Sequence, residues 1–160
     1  MTAQVRRLAA ADLPRLLELI DGLADYEKLP RPDAGARARL AADALADPPR
    51  FQALLAEVDG TVVGYAIYFF TYSTFLARPS LYLEDIFVLP ESRGLGAGVA
   101  LFRACAREAV RLECGRMEWQ VLSWNEPSIT FYERLGARHL DDWLPFRLDG
   151  SALVRVGHAD

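Results

Sequence analysis

The chain has 160 residues, 52% apolar and 25% charged, which is the size and make-up of one ordinary globular domain and excludes a disordered chain. Its 18 Lys and Arg against 22 Asp and Glu leave a net charge of −4. That balance argues against a nucleic-acid partner, since neutralising phosphates needs a basic surface, and it accommodates a cationic one. No apolar run reaches the about 18–20 residues of a membrane span, and the start of the chain lacks the apolar core of a signal peptide, so the sequence reads as cytoplasmic with no membrane partner.

The spacing predicts these elements in chain order. Residues 4–8 read as a first strand. Asp12 is placed to cap a helix with Pro14 in its first turn, and Leu13, Leu16, Leu17, Ile20 and Leu23 follow at helical spacing. A surface helix follows over 33–45. The runs 51–58 and 61–71, joined by Asp59-Gly60, carry a hairpin signal suited to a type I′ turn. A strand over 81–89 stops at Pro90. After a glycine-rich loop, 99–113 reads as an amphipathic helix with Leu101, Phe102, Cys105, Ala109 and Leu112 on its apolar side. A short strand at 117–122, a capped helix at 125–135 and a closing hairpin over 146–156, turning at Asp149-Gly150, complete the chain. The expected class is therefore α/β, with antiparallel strands first and one late β-α-β crossover.

Metal and nucleophile chemistry find little material. Cys105 and Cys114 lie nine residues apart in one helical stretch, which suits reduced, structural cysteines better than a local disulfide. His139 and His158 are isolated near the C-terminus, so neither a His-based metal site nor a Ser-His-Asp triad is indicated, and no metal is expected.

The chemistry concentrates after the strand at 81–89. Arg93-Gly94-Leu95-Gly96-Ala97-Gly98 allows a sharp turn and close backbone approach, and the amides that open the next helix, through Val99, favour an anion. A tight turn packing a helix onto a sheet is the structural alternative for the glycines. A P-loop is excluded because the loop has no lysine. A dinucleotide fold wants an acidic residue about 20 positions on, near which Glu113 and Glu118 stand, but it wants its glycine loop after an early strand. The pyrophosphate arm of coenzyme A is the third reading.

Further on, Asn125-Glu126-Pro127-Ser128 opens a helix on which Asn125, Ser128 and Tyr132 share one face. A cap, a small packing residue and a half-buried tyrosine would account for them without function. Together with the glycine loop, however, they resemble the signatures of the GNAT N-acetyltransferases. These are Arg/Gln-x-x-Gly-x-Gly/Ala, here Arg93, Gly96 and Gly98, and Asn-x-x-Ala/Ser-x-x-x-Tyr, here Asn125, Ser128 and Tyr132. Leu81-Tyr82-Leu83-Glu84-Asp85, Phe70-Thr71-Tyr72, Ala24-Asp25-Tyr26-Glu27 and Trp124-Asn125-Glu126-Pro127-Ser128-Ile129 are similar to the diamine (spermidine/spermine) acetyltransferase branch. The resemblance spans nearly the whole chain and implies a single GNAT domain over 1–160.

The resemblance implies acetyl-CoA as co-substrate and direct attack by an amine in a ternary complex. Tyr132 would be the general acid. Glu84 would have a catalytic or substrate-binding role, either holding the cationic amine or accepting its proton through a water, on a strand carrying a bulge. Adjacent acids on a regular strand point to opposite faces, so without that bulge only one of Glu84 and Asp85 would face a cleft. Ile86, Phe87 and Val88 would offer backbone groups to the pantetheine arm. The loop from Arg93 through Gly94, Leu95, Gly96, Ala97 and Gly98 to Val99 would hold the pyrophosphate, with Asn125 and Ser128 as further cofactor contacts. Tyr26, Glu27, Asp85 and Asp141 would line the amine side, whereas Trp119 and Trp124 are read as core. A homodimer is implied by resemblance alone.

Two departures concern the amine. The diamine branch continues after Phe70-Thr71-Tyr72 with an acidic residue and, two positions later, a tryptophan; here Ser73 and Phe75 stand there. The loop leading to Trp143 is also shorter. The expected substrate is a small cationic amine, with a diamine or polyamine first and a lysine- or thialysine-like amino acid second. A non-catalytic acyl-CoA-binding module is the rival from another class.

Overall fold

The computed structural model describes residues 3–159, which fall into two compact units, one ending at Gln120 and the other beginning at Val121. The first unit holds β1 (Gln4–Arg7), α1 (Leu13–Glu27), α2 (Ala34–Ala44), β2 (Gln52–Val58), β3 (Thr61–Ser73), β4 (Arg78–Val88), α3 (Ala97–Arg111) and β5 (Arg116–Glu118). The strands form one five-stranded sheet in the order β1-β2-β3-β4-β5. The first four are mutually antiparallel, and β5 joins β4 in parallel after the crossover through α3. This is the mixed, mostly antiparallel α/β architecture that the sequence predicts.

The two sheet faces carry separate cores. On one, Leu101, Cys105 and Ala109 of α3 pack on Leu54, Ala66, Tyr68, Leu81 and Leu83. On the other, Leu16, Leu19 and Ile20 of α1 pack on Leu55, Tyr65, Ile67 and Phe87. Leu16 and Leu19 are fully buried, each worth about 1.5–3 kcal/mol relative to exposure. Gly22 lets α1 come close to the sheet, since a Cβ there would sit 3.0 Å from Cε1 of Phe87. The Asp59-Gly60 turn forms as expected, with φ of 49° and 76° at its two residues, the positive pair that a type I′ turn requires. Asp12 precedes α1, but its carboxylate turns back to accept from Ala9 N–H and the Arg6 guanidinium instead of capping the helix.

The second unit contains α4 (Glu126–Arg134) and α5 (Gly150–Gly157). The closing hairpin expected over 146–156 does not form. A type I′ turn needs positive φ at both central residues, but Asp149 has φ −139° and stands at the N-cap of α5, with only Gly150 positive at 51°. Ala152, Leu153 and Val156 suit a helix as well as they suit alternation, and a short apolar run does not distinguish the two. The strand expected over 117–122 is also shorter, ending at Glu118. Among the described residues, no helix is long and apolar enough to cross a membrane.

Candidate active site

Glycine conformation shapes the loop between β4 and α3. Gly94 and Gly96 have φ of 82° and 83°, where a side chain would strain the backbone. Nothing lies within 4 Å of where their Cβ atoms would be, so the loop is open on that side. Gly96 is the N-cap of α3 and supplies no capping side chain. The amides of Ala97, Gly98 and Val99 therefore begin the helix with no carbonyl four residues earlier to receive them in the helical ladder, and the positive end of the helix dipole lies there. Arg93 does not point its guanidinium away from the fold. Its Nε donates to the Val88 carbonyl at 3.1 Å, and its Cζ lies 4.8 Å from the ring centroid of Tyr26 and 5.9 Å from that of Phe87.

The acidic side is set by an irregularity in β4. Ile67 pairs with Asp85 and Tyr68 with Leu83, so Glu84 is an extra residue without a partner on β3. The bulge expected at this position is present, and it reverses the alternation of side chains. Leu81 and Leu83 before it belong to the α3-side core, as do Ile86 and Val88 after it, while Phe87 belongs to the α1-side core. Asp85 follows Phe87 to the α1 side. There its Oδ2 accepts from the hydroxyl of Tyr65 at 3.3 Å, and Tyr65 is itself fully buried. Glu84 remains exposed.

The electrostatics follow from this crowding. Burial, then the negative charges of Glu84 and Glu27, raise the Asp85 carboxyl to about 6, and the Tyr65 hydrogen bond opposes them. Burial also raises Glu27 at the end of α1. Burial and the Asp85 charge keep the Tyr65 phenol protonated. Glu27, Glu84 and Asp85 are thus brought to one region of the first unit, and Tyr26, next to Glu27 in sequence, lies against Arg93. Tyr65 is the residue that sequence reasoning missed: it reads as one more strand aromatic until the register shows Asp85 on its face.

Past Tyr82, β4 has no paired strand on its β5 side among the described residues. β5 pairs only with Ser80–Tyr82, so the strand runs on from Leu83 to Val88 without that neighbour. Leu89 N–H donates to the Val63 carbonyl. The antiparallel alternation then directs the Phe87 backbone groups to β3 and those of Ile86 and Val88 to the open edge. Among the three expected strand contacts, Ile86 and Val88 face outward, and Phe87 is part of the ladder.

In the second unit, Asn125 is the N-cap of α4, its Oδ1 accepting from Ser128 N–H at 3.4 Å. Asn125, Ser128 and Tyr132 lie along one face by their spacing. Tyr132 is half-buried, with its ring 5.3 Å from that of Phe131. Asp141 and Asp142 stand in an exposed turn of the same unit. Ser73 is buried and its Oγ accepts from Leu76 N–H at 3.2 Å, while Phe75 in the β3–β4 turn is fully exposed. Burial raises the Cys105 thiol to about 12, leaving no thiolate for nucleophilic chemistry near neutral pH.

Comparison with known proteins gives a consistent result. The profile described as the acetyltransferase (GNAT) family matches residues 16–137. The mouse thialysine N-epsilon-acetyltransferase is 34% identical over 95% of this chain and 95% of its own length. The Arabidopsis thaliana L-ornithine N5-acetyltransferase is 41% identical over 69% of this chain and 49% of its own. The human spermidine/spermine N(1)-acetyltransferase-like protein 1 is 34% identical over 94% of this chain, which corresponds to 23% of that longer protein. An integron cassette protein from V. cholerae has the same fold, with a TM-score of 0.82 at 21% identity over 99% of both chains.

Proposed function

The chain belongs to the GNAT family of acetyltransferases, and we propose that it acetylates a primary amine at the end of a small cationic molecule. The observation that carries this reading is the gathering of Glu27, Glu84 and Asp85 beside an open strand edge and an uncapped helix N-terminus. A cation is attracted to the first, and an anionic, amide-bearing cofactor matches the other two.

The residues present fit acetyl-CoA. The amides from Gly94 to Val99 would hold its pyrophosphate, and the outward Ile86 groups and Val88 N–H would pair with its pantetheine amides as another strand would, the Val88 carbonyl being engaged by Arg93 Nε. Asn125 and Ser128 supply further contacts in this reading. When bound, the cofactor supplies an acetyl group activated as a thioester. The chain's own residues must do three things: draw in the ammonium group, relieve it of a proton, and hold a proton for the departing sulfur. Exposed Glu84 meets the ammonium first, with Glu27 and the Tyr26 ring beside it. Tyr132 Oη carries the proton for the leaving group, in keeping with the matching tyrosine of the family.

A diamine or polyamine and a thialysine- or ornithine-like side chain share the required chemistry. Ser73 favours the second, because a position that carries an anionic anchor in the diamine branch here holds a turn through its hydroxyl. Asp141, in its exposed turn, is a further anchor for the distal charge in this reading. A homodimer in the cytoplasm completes it.

The test is CoA release with spermidine, putrescine, thialysine, ornithine and lysine, for the wild type, Tyr132→Phe and Glu84→Gln. The expected outcome is turnover of at least one of these amines, lost in Tyr132→Phe with acetyl-CoA affinity unchanged, and a raised amine KM in Glu84→Gln. Cofactor binding without turnover of any amine would instead identify an acyl-CoA-binding module.

A further inference from the structure

We propose that Asp85, oriented by Tyr65, is the group that takes the proton from the substrate ammonium, while Glu84 anchors the cation; the assignment rests on the amine acetyltransferase reading above. The two acids are neighbours in sequence but not equivalent in space. The bulge leaves Glu84 outside the β3–β4 pairing and exposed, and it turns Asp85 to the α1 face, where it is half-buried. A solvated carboxylate is a weak base and a good electrostatic anchor. A carboxylate withdrawn from water and held by one hydrogen bond is better suited to proton transfer.

Tyr65 provides the orientation. Its hydroxyl donates to Oδ2 at 3.3 Å from a fully buried position in β3, and its ring packs near Phe87, 6.4 Å between centroids. With Oδ2 engaged, Oδ1 is the oxygen left to receive a proton. In the step, an N–H bond of the ammonium breaks, the proton passes to Oδ1, and the electron pair stays on nitrogen as the nucleophilic lone pair. Nothing is oxidised or reduced, and one positive and one negative charge are lost together.

The titratable groups facing Asp85 are Tyr65 from β3, Glu27 from α1 and Glu84 from β4 itself. Burial and the two carboxylates favour the protonated form of Asp85, whereas the Tyr65 hydrogen bond favours the charged form. The carboxyl therefore titrates at about 6, ionised at neutral pH yet a far better proton acceptor than an ordinary aspartate. Tyr65 lowers that transition from where burial and the two carboxylates would put it. It is a positioning residue, because it acts only through Asp85.

The experiment pairs kinetics with a direct titration. The pH profile of kcat/KM for the best amine among spermidine, thialysine and ornithine is measured in wild type, Tyr65→Phe, Asp85→Asn and Glu84→Gln. Carbon-13 NMR of the side-chain carboxyls follows the same variants without any substrate, and circular dichroism checks their folding. Wild type is expected to show an acid limb and a carboxyl titrating near 6. In Tyr65→Phe both move up by about 0.5–1 pH unit, since a bond favouring the carboxylate is lost. Asp85→Asn loses the titrating signal and about 100-fold or more in kcat/KM, within the usual range for a general base. Glu84→Gln raises the amine KM and retains the limb, moved to lower pH because a negative charge beside Asp85 is lost. A limb and signal unmoved in Tyr65→Phe, or a limb abolished by Glu84→Gln and retained in Asp85→Asn, would overturn the assignment to Asp85 alone. Turnover of no amine by the wild type would overturn the underlying reading with it.

Discussion

The guanidinium of Arg93 lies over the ring of Tyr26, 4.8 Å from its centroid, and so ties the glycine loop after β4 to the last turn of α1. The same side chain donates through Nε to the Val88 carbonyl. The residue that opens the loop thus also braces the wall carrying Glu27. A lysine keeps the charge but loses both the planar stack and the Nε donor. Arg93→Lys is expected to cost about 0.5–1 kcal/mol of stability from the lost cation–π contact. It should also raise the amine KM more than that for acetyl-CoA. Thermal melts and initial rates with each substrate varied in turn check both; equal effects on the two KM values would show that the brace does not serve the amine side.

β3 and β4 approach closely at Gly64. A Cβ at Gly64 would lie 2.6 Å from the backbone oxygen of Phe87 and 2.9 Å from Cγ2 of Val88. The backbone oxygen cannot rotate aside as a flexible side chain could, so β3 and β4 must separate. Gly64→Ala should lose about 1–3 kcal/mol in urea unfolding, with a Tm lower by several degrees. The displaced segment carries the outward edge of Ile86 and Val88, so acetyl-CoA affinity should fall as well.

What the sequence discloses and what it hides follow from how local each signal is. The Asp59-Gly60 hairpin and the Asn125 cap are legible because the turn and the helix start depend on residues within a few positions. Asp149-Gly150 carries the same dipeptide and misleads, since its apolar followers satisfy a helix as well as a strand. The faces of Glu84 and Asp85 depend on one extra residue in β4, a property of its pairing with β3 that composition does not record; only the family resemblance pointed to it. Tyr65 was hidden for the same reason. The Asp12 cap failed because Arg6 and Ala9 compete for its carboxylate.

Stability should depend on pH through Asp85. Its folded carboxyl is raised from the ordinary 3.8 to about 6, so folding favours the protonated form. The contribution is fully present below about pH 4 and is lost as pH rises through about 6. Asp85→Asn removes that loss. The variant is expected to match wild type or fall slightly below it at pH 4, and to exceed it by about 1–3 kcal/mol at pH 8, the order given by a shift of this size. Urea midpoints at the two pH values measure this. A variant less stable than wild type at both would mean that Asp85 is held as a stabilising ion rather than as a buried acid.

Transfer of an acetyl group by this chain onto the amine of a small cation is read from the product itself. The purified protein is incubated with acetyl-CoA and, separately, with thialysine, ornithine and spermidine, and the products are identified by mass spectrometry and NMR. The expected product carries an acetyl group on a terminal primary amine of at least one of them, one for each CoA released, and none forms without the protein. CoA released with only free acetate beside it, or acetyl found on a hydroxyl or on no small amine at all, would contradict that transfer.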